Sequence, residues 1–325
     1  MSLALTLLLM SAIVLGTILL VVTNVIVVSY MERKVLGDLQ VRYGPMRVGP
    51  HGLLQIPADV LKMLLKEDTT PANADRWLFN LAPLIVVVPA FMLYLVLPIN
   101  ETWIIADMDI GIFFIFAVSA IIPIGVIIAG WASYNKYSLL GAFRSAAQQI
   151  SYEIPLLLSI LGVIMITGSL SLVEIVKAQS ETLFGVLPRW FIFLQPFAFL
   201  FFLISAVADL NRTPFDIPEA ESELVSGFNT EYSGIKFGLF FLGEYSNTFL
   251  LSALVALLFL GGWNGPLLPP VLWFLIKTYA IVFVIIWFRG TFPRVRIDQL
   301  MNLGWKVLLP LTLANILITG MLMVL

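Results

Sequence analysis

The sequence contains no cysteine, only one histidine and few charged residues. Without cysteine, the chain has no disulfide, no thiolate zinc site and no cysteine-held iron–sulfur cluster of its own. A bis-histidine haem would need a second histidine besides His51. Charged residues make up 12% of the chain and hydrophobic residues 60%, whereas a soluble domain is about 25% charged and about 45–50% apolar. These proportions exclude an ordinary soluble domain and indicate an integral membrane protein.

Eight apolar runs are long enough to cross a bilayer, which takes about 20 mainly apolar residues in a helix. They are 3–29, 77–98, 110–131, 152–172, 189–208, 235–260, 271–290 and 305–325. The first is too long for the apolar part of a signal peptide and lacks a basic start, so we expect a true span. Since neither an internal repeat nor a low-complexity linker interrupts the chain, we predict an all-α fold, with residues 1–325 forming one integral membrane domain of about eight transmembrane helices.

Lysine and arginine are concentrated in the connections after the first, third, fifth and seventh runs. Fifteen of them lie there or at the adjoining run ends, against only Lys177 and Arg189 on the opposite side. Cytoplasmic loops of membrane proteins carry such an excess of basic residues. We therefore predict that these four connections face the cytoplasm and that both termini lie outside.

The first of these connections contains a further helix, predicted over 53–66. Its polar residues Gln55, Asp59, Lys62 and Lys66 recur at steps of four, three and four, which places them on one helix face, and leucines cover much of the rest. This pattern is typical of an amphipathic helix lying in the membrane interface. The helix could be a plain surface anchor, or it could form the wall of a cavity that opens onto the lipid.

Carboxylates are unusually dense in the third basic-side connection, where six of them accompany a single arginine. The group comprises Asp209, Arg212, Asp216, Glu219, Glu221, Glu223 and Glu231. The spacing of Asp216 and Glu219, with Pro218 between them, is that of a helix-capping box. Asp216, Glu219 and Glu223 are then expected to share one helix face. Capping needs one or two acids, so the excess indicates a docking surface for a basic partner or a proton path, because clustered carboxylates raise one another's pKa.

Three ionisable residues fall within apolar runs: Glu153, Glu244 and Lys277. A charge in the middle of a membrane helix is costly and is expected to face protein or water. A structural ion pair, such as Glu244 with Lys277, would account for two of them. A proton or ion pathway is the functional interpretation. The sequence has no phosphate-binding glycine loop, hydrolase triad or metal-ligand cluster, so the chain is not expected to perform redox chemistry alone, although it could enclose a substrate that a partner reduces.

Several longer motifs together resemble one known family. They are MERKVLG (31–37), QVRYGP (40–45) and ADVLK (58–62) in the first basic connection, NKYSLLGA (135–142) and SYEIP (151–155) in the second, NRTPFDIPEAE (211–221) and EYSG (231–234) in the third, and PRVRIDQLM (293–301) in the last. Over nearly its whole length the chain resembles the NuoH family, the quinone-chamber membrane subunit of respiratory complex I. Met46 and Asp209 depart from the family pattern, which usually has Asn and Glu at these positions.

The resemblance implies a membrane subunit of a proton-translocating NADH:quinone oxidoreductase in the bacterial inner (cytoplasmic) membrane. Such a subunit forms much of the quinone chamber where the peripheral and membrane arms meet, and it has no activity alone. Quinone is the substrate, and the FMN and iron–sulfur clusters are on partner subunits. Neither a cofactor of its own, nor a metal site, nor nucleic acid is implied.

The resemblance also assigns residues to the two tasks. Those implied in quinone binding are Arg33, Asp59, Lys62, Arg212, Phe215, Asp216 and Arg289. Those implied in proton coupling are Glu153, Asp209, Glu219, Glu221, Glu223, Glu231 and Glu244. Arg294 and Arg296 could satisfy the positive-inside bias, dock a partner or hold an anionic quinone intermediate.

Two other functions remain open at this point. One is the homologous membrane subunit of a membrane-bound hydrogenase-type complex, whose relatives tend to lose parts of the quinone-facing motifs. The other is a secondary transporter, which would show repeat symmetry and paired broken helices. The intact first and third motif groups favour the quinone enzyme, and the absence of a repeat disfavours the transporter.

Overall fold

The computed structural model describes residues 3–183, 187–218 and 221–324, and it is helical over most of this length. The helices are α1 (Leu3–Leu39), α2 (Gln55–Leu65), α3 (Arg76–Val96), α4 (Gly111–Ser119), α5 (Ile122–Ala132), α6 (Lys136–Thr167), α7 (Leu172–Ala178), α8 (Phe191–Leu194), α9 (Pro196–Asp209), α10 (Glu221–Leu224), α11 (Gly234–Phe259), α12 (Pro270–Thr291), α13 (Ile297–Asn302) and α14 (Leu309–Val324). Short 3₁₀ turns at Pro50–Gly52 and Gly227–Asn229 and a π-helical segment at Leu303–Leu308 complete the helical part. The strands β1 (Thr182–Leu183) and β2 (Leu187–Pro188) form a small antiparallel pair that the apolar pattern did not predict.

Seven helices in the described ranges are long and apolar enough to cross a membrane. They occupy Met10–Leu39, Arg76–Val96, Gly111–Ala132, Lys136–Thr167, Gly234–Phe259, Pro270–Thr291 and Ile297–Val324. The predicted all-α membrane fold is thus confirmed. The remaining predicted run, 189–208, contains α9, which has only 14 residues and is therefore about 21 Å long, shorter than the hydrocarbon core of about 30 Å.

Proline explains where two predicted runs are interrupted. The run 110–131 is divided into α4 and α5, and Pro123 lies at the start of α5. The run 189–208 is divided into α8 and α9, and Pro196 begins α9. Proline has no backbone N–H and fixes φ near −65°, so it is well suited to the first turn of a helix.

The fourth predicted run, 152–172, is displaced from the helix that contains it. The side chain of Asn135 caps the start of α6 by accepting from the backbone N–H of Tyr137, and the helix ends before Gly168, whose φ is +70°. The first four turns of α6 include Arg144, Gln148 and Gln149, which lower the hydropathy of this segment, although both glutamines are buried in the bundle. Hydropathy alone therefore missed half of this helix.

The helices α6 and α11 form the centre of the bundle. α6 packs against α5, α9 and α14, while α11 packs against α1, α3 and α12. Residues 248–259 of α11 are buried on every side, as expected of an apolar helix enclosed by others. Gly141 of α6 allows a close approach, because a Cβ there would lie 2.6 Å from the Cα atom of Gly227.

The predicted amphipathic helix is present as α2. Its start is held near α1, because the hydroxyl of Tyr30 donates to the backbone oxygen of His51 at 3.0 Å. Met63 faces α11, where a Cβ at Gly238 would lie 3.1 Å from its sulfur. Leu61 and Leu65 remain exposed at 59% and 87%, which leaves an apolar surface available to lipid.

Candidate functional site

Four alternating charges form a row between α1, the segment after α9, α11 and α12. Arg289 donates to one carboxylate oxygen of Glu32 at 2.5 Å, and Arg212 donates to the other at 3.1 Å. The second terminal nitrogen of Arg212 lies 3.1 Å from a carboxylate oxygen of Glu244. We call these four residues the charge row. It runs from Arg289, one third exposed, through the nearly inaccessible Arg212 to the partly buried Glu244.

Arg212 stays charged although it is buried. Burial by itself would lower the pKa of Arg212, but the carboxylates of Glu244 and Glu32 raise it well above the usual value for arginine. The guanidinium also lies 4.5 Å from the ring centre of Tyr245, in a cation–π contact. Removing one partner from such a buried ion pair is strongly destabilising, because the other charge is left uncompensated.

The segment 210–218, which carries Arg212, is held against α6. The side-chain amide of Gln148 donates to the backbone oxygens of Ala208 and Phe215, at 2.7 and 2.8 Å. Asn211 has a φ of +52°, a left-handed conformation that asparagine tolerates better than most residues. These contacts turn the chain after α9 and direct Arg212 toward the charge row.

Asp216 and Arg294 form an ion pair beside the charge row, at 3.3 Å between Oδ2 and the guanidinium. A backbone bond from Val295 to Pro214 holds the same two segments together. Burial raises the pKa of Asp216, and the nearby Arg294, Arg289 and Arg212 lower it only in part. Protonation of this carboxyl is therefore easier than for an exposed aspartate.

Asp216, Glu219 and Glu223 were predicted to share one helix face. For Asp216 and Glu223, the two that the structure describes, this prediction was wrong. Asp216 lies in an irregular segment before Pro218, whereas Glu223 belongs to the short helix α10. The prolines explain the irregularity, since each lacks a backbone donor and restricts the residue before it. Glu223 instead pairs with Arg144 of α6 at 2.5 Å. Glu219 and the side chain of Glu221 lie outside the described part of the chain.

Three of the predicted proton-coupling carboxylates open onto one internal cavity. Glu153 comes from α6, Asp209 from the end of α9 and Glu244 from α11. The cavity, which we call the acidic cavity, has a volume of about 80 Å³. Its other polar lining residues are Ser119, Gln149, Asn211, Asn229 and Asn247. Because Glu244 also belongs to the charge row, the row and the acidic cavity are continuous.

Glu231 is placed elsewhere. It accepts a hydrogen bond from the side chain of Asn135 at 2.6 Å and lines a separate surface depression with Tyr134, Lys136 and Tyr137. The structure therefore does not bring Glu231 or Glu223 to the acidic cavity.

The predicted quinone-binding residues of the first connection cluster around Asp59 on α2. Arg33 of α1 donates to one oxygen of Asp59 at 2.5 Å, and Gln55 donates to the other at 3.1 Å. Lys62 lies 4.0 Å from Asp59, but its side chain is 76% exposed. Phe215 is separate from this cluster: it is buried and packs against Tyr152, with ring centres 5.9 Å apart.

The suggested pair of Glu244 and Lys277 does not form. The ammonium of Lys277 donates to the backbone oxygens of Leu260, Gly262 and Asn264, at 2.7, 2.9 and 2.7 Å. It also lies 4.5 Å from the ring centre of Trp190. Leu260 is the C-cap residue of α11 and the other two carbonyls belong to the turn after it, so Lys277 holds this turn against α12. Glu244 is 16 residues before Leu260 on α11, so about 24 Å separates it from that end of the helix.

Glu32 and Gln149 are site residues that the sequence-based assignments missed. Glu32 follows the apolar run 3–29 in the sequence. It is nevertheless part of α1, which continues to Leu39, and it is buried in the folded bundle. Gln149 lies one turn before Glu153 on α6, so the i, i+4 spacing was a usable signal. No group of three or more His, Cys, Asp or Glu side chains in the described ranges could hold a metal ion.

Fold and site together define a multi-pass α-helical membrane protein with paired and buried charges inside its helix bundle. A sequence model of the NADH dehydrogenase family matches residues 12–320. The NADH-quinone oxidoreductase subunit designated H in Dehalococcoides mccartyi (strain CBDB1) is 53% identical over 300 residues, which cover 92% of this chain and 83% of that protein. Its counterpart of the same designation in Geobacillus kaustophilus (strain HTA426) is 56% identical over 294 residues, 89% of this chain and 86% of that protein. The chain belongs to this family, as the motif resemblance indicated.

Proposed function

We propose that this chain is the membrane subunit that forms much of the quinone chamber of a proton-translocating NADH:quinone oxidoreductase and links quinone reduction to proton translocation. The observation that carries the proposal is the continuity of the charge row with the acidic cavity. A change of charge near Arg289 is thereby connected to carboxylates inside the membrane domain. The relatives described above are all NADH-quinone oxidoreductase subunits, and the comparisons give no support to the hydrogenase alternative.

Quinone is proposed to reach the chamber from the lipid alongside α2. A long isoprenoid tail needs an apolar route, and its headgroup needs a few placed polar contacts. The exposed leucines of α2 offer the first, and Arg33, Asp59 and Lys62 the second. α1 and α11 pack beside α2, so they would form the walls of this entrance. Arg212, Asp216 and Arg289 would face the headgroup at the inner end.

Coupling is proposed to pass through the carboxylates. Reduction of quinone consumes protons and changes the charge near the charge row. A change of one pKa unit corresponds to about 1.4 kcal/mol, and nearby charges shift the pKa of a carboxyl by one to three units, as a rough range. Glu153, Asp209 and Glu244 would therefore exchange protons when the chamber changes charge. Asp216, whose pKa is raised by burial, would be the nearest acceptor in the segment 210–218.

The partners and the location follow from the same proposal. The electron donor chain, with FMN and iron–sulfur clusters, would be carried by peripheral-arm subunits bound to the basic side of this chain. Membrane-arm subunits would receive the protonation change. The excess of lysine and arginine supports a cytoplasmic location for this side, in the inner membrane of a bacterium, with both termini outside.

The proposed chamber is tested by Asp59→Asn in the assembled complex. The variant removes the charge that holds Arg33, so quinone reduction is expected to fall about tenfold, the effect of losing one charge-assisted hydrogen bond. Electron transfer from NADH to a hydrophilic artificial acceptor should persist, because that path ends before the membrane. Asp68→Asn is the matched control, since Asp68 pairs with Lys236 away from the cluster. Quinone reduction equal to that of the control would contradict the proposed role.

A further inference from the structure

We propose that Gln149 and Asn211 are positioning residues that hold ordered water in the acidic cavity, and that this water carries protons between Glu153, Asp209 and Glu244. The proposal rests on the coupling role proposed above and adds two residues that cannot be titrated. Its structural basis is two amide side chains of residues that line the acidic cavity, whose oxygen atoms are buried without a partner in the described chain.

Gln149 is oriented by the backbone. Its amide nitrogen donates to the backbone oxygen of Asp209 at 3.5 Å. A carbonyl oxygen can only accept, so the nitrogen must be the atom that faces Asp209. The amide oxygen is therefore directed away from this bond, where it is buried and has no partner among the described residues. The relative exposure of Gln149 is only 9%. Glu153 lies one turn further along the same face of α6.

Asn211 repeats the arrangement on the next segment. Its side-chain nitrogen donates to the hydroxyl of Ser145 at 2.9 Å, and its oxygen is buried without a partner in the part of the chain described. Because a hydroxyl can donate or accept, the amide could also be turned around. In either orientation one polar atom of the Asn211 amide remains without a partner among the described residues, and Asn211 lines the acidic cavity.

Buried amide oxygens in native proteins nearly always have a hydrogen-bond donor. None of the described residues that line the acidic cavity carries a positive charge. Neither oxygen has a donor among the described residues, so in this proposal the donor is water or a protonated carboxyl. The volume of about 80 Å³ is several times the roughly 10–15 Å³ that one water needs, and a polar wall with several partners is the setting in which buried water is retained.

Water bound to Gln149 lies next to both Asp209 and Glu153. The Gln149 amide contacts the backbone of Asp209, and Gln149 lies on the same face of α6 as Glu153. Glu244 lines the opposite, α11 side of the same cavity. A proton leaving one carboxyl passes to water, and an equivalent proton passes from water to the next carboxylate. The amides accept hydrogen bonds throughout and never take up the proton, so they fix the route without storing charge.

The test compares Gln149→Met with Gln195→Met in the assembled complex reconstituted into vesicles. Gln195 is also a buried glutamine, but both ends of its amide are satisfied, by Thr319 and by Asn315 at 2.8 and 3.1 Å. Methionine has a similar length and lacks the amide, so both variants make the same chemical change. The measurements are the proton-to-electron ratio and the solvent deuterium isotope effect on quinone reduction, each normalised to NADH oxidation by a hydrophilic acceptor.

Gln149→Met is expected to slow coupled quinone reduction about tenfold per assembled complex, the rate equivalent of one lost hydrogen bond, and to change the isotope effect. Gln195→Met should lower assembly without changing the isotope effect. Gln149→Glu keeps a side-chain oxygen at a position that lines the acidic cavity and should retain more activity than Gln149→Met. An unchanged rate and isotope effect in Gln149→Met, or the same behaviour in both methionine variants, would overturn the proposal.

Glu153→Gln separates this proposal from the coupling role on which it rests. If Glu153→Gln lowers the proton-to-electron ratio and Gln149→Met does not, only the water-holding role fails. If neither variant changes it, the coupling role fails as well. Should Gln149→Met not assemble, an experimental density map of the unaltered complex decides: a water within about 3 Å of the Gln149 oxygen is required, and protein or lipid filling that space would overturn the proposal.

Discussion

At the scale of single residues, Glu32 is the centre of the charge row, because it pairs with two arginines at once. Replacing Glu32 with Gln preserves its volume but leaves Arg212 and Arg289 without this counter-charge. Breaking a buried ion pair costs about 3–5 kcal/mol, so Glu32→Gln should markedly lower the thermal stability of the complex and its quinone reductase activity. Thermal unfolding of the purified complex, followed by loss of activity, would measure this.

The matched control for this prediction is Glu181→Gln. Glu181 also pairs with an arginine, Arg189, but both side chains are substantially exposed, and exposed pairs contribute about 0–1 kcal/mol. The two variants make the same chemical change and differ in burial. Equal thermal stability in both would show that the charge row contributes no more than a surface pair.

At the scale of helices, Lys277 connects α11 to α12. Replacing it with Met removes three hydrogen bonds to the carbonyls that follow α11 and two cation–π contacts, with Trp190 and Trp273. A hydrogen bond from a charged donor contributes about 1.5–3 kcal/mol, partly offset because a buried ammonium is itself costly. We expect Lys277→Met to destabilise the membrane domain by about 2 kcal/mol or more, measured as a shift in the denaturant midpoint of the isolated complex.

Lys177→Met provides the comparison for Lys277→Met. Lys177 pairs with Glu101 at 2.8 Å, but both side chains are more than half exposed, so its loss should have little effect. Lys277→Arg should lie between the two, because arginine keeps the charge but its planar fork fits three separate carbonyls less well. A Lys277→Met midpoint equal to that of Lys177→Met would contradict the role of Lys277 in connecting α11 to α12.

Some helices were predictable because one physical term dominates them. The runs 77–98, 235–260 and 271–290 agree within two residues with α3, α11 and α12, since their apolar length alone decides them. α6 was predicted poorly, because its first half is held by packing against neighbours that hydropathy does not record. The charge row was out of reach for a related reason. Glu32 and Arg212 are 180 residues apart, and only the folded bundle brings them together.

At the scale of the whole molecule, the fold gathers the sparse basic residues of the less basic side at one end. Lys177 pairs with Glu101, and the side chain of Asn264 donates to the backbone oxygen of Val176 at 3.0 Å. The connections after α3 and after α11 therefore both meet the end of α7. Asp216 and Arg294 join two of the more basic connections at the charge-row end of the bundle. The two ends differ in charge as the positive-inside rule requires, which makes orientation a testable property of the fold.

The orientation can be measured with single introduced cysteines, because the chain has none of its own. Glu101→Cys and Gln299→Cys lie at opposite ends of the bundle, and both positions are exposed. With a thiol reagent that cannot cross the membrane, intact cells should label Glu101→Cys and leave Gln299→Cys unlabelled. Vesicles turned inside out should label Gln299→Cys after the peripheral arm is removed. Labelling of Gln299→Cys in intact cells would reverse the orientation and place the proposed chamber on the wrong side for a cytoplasmic electron donor.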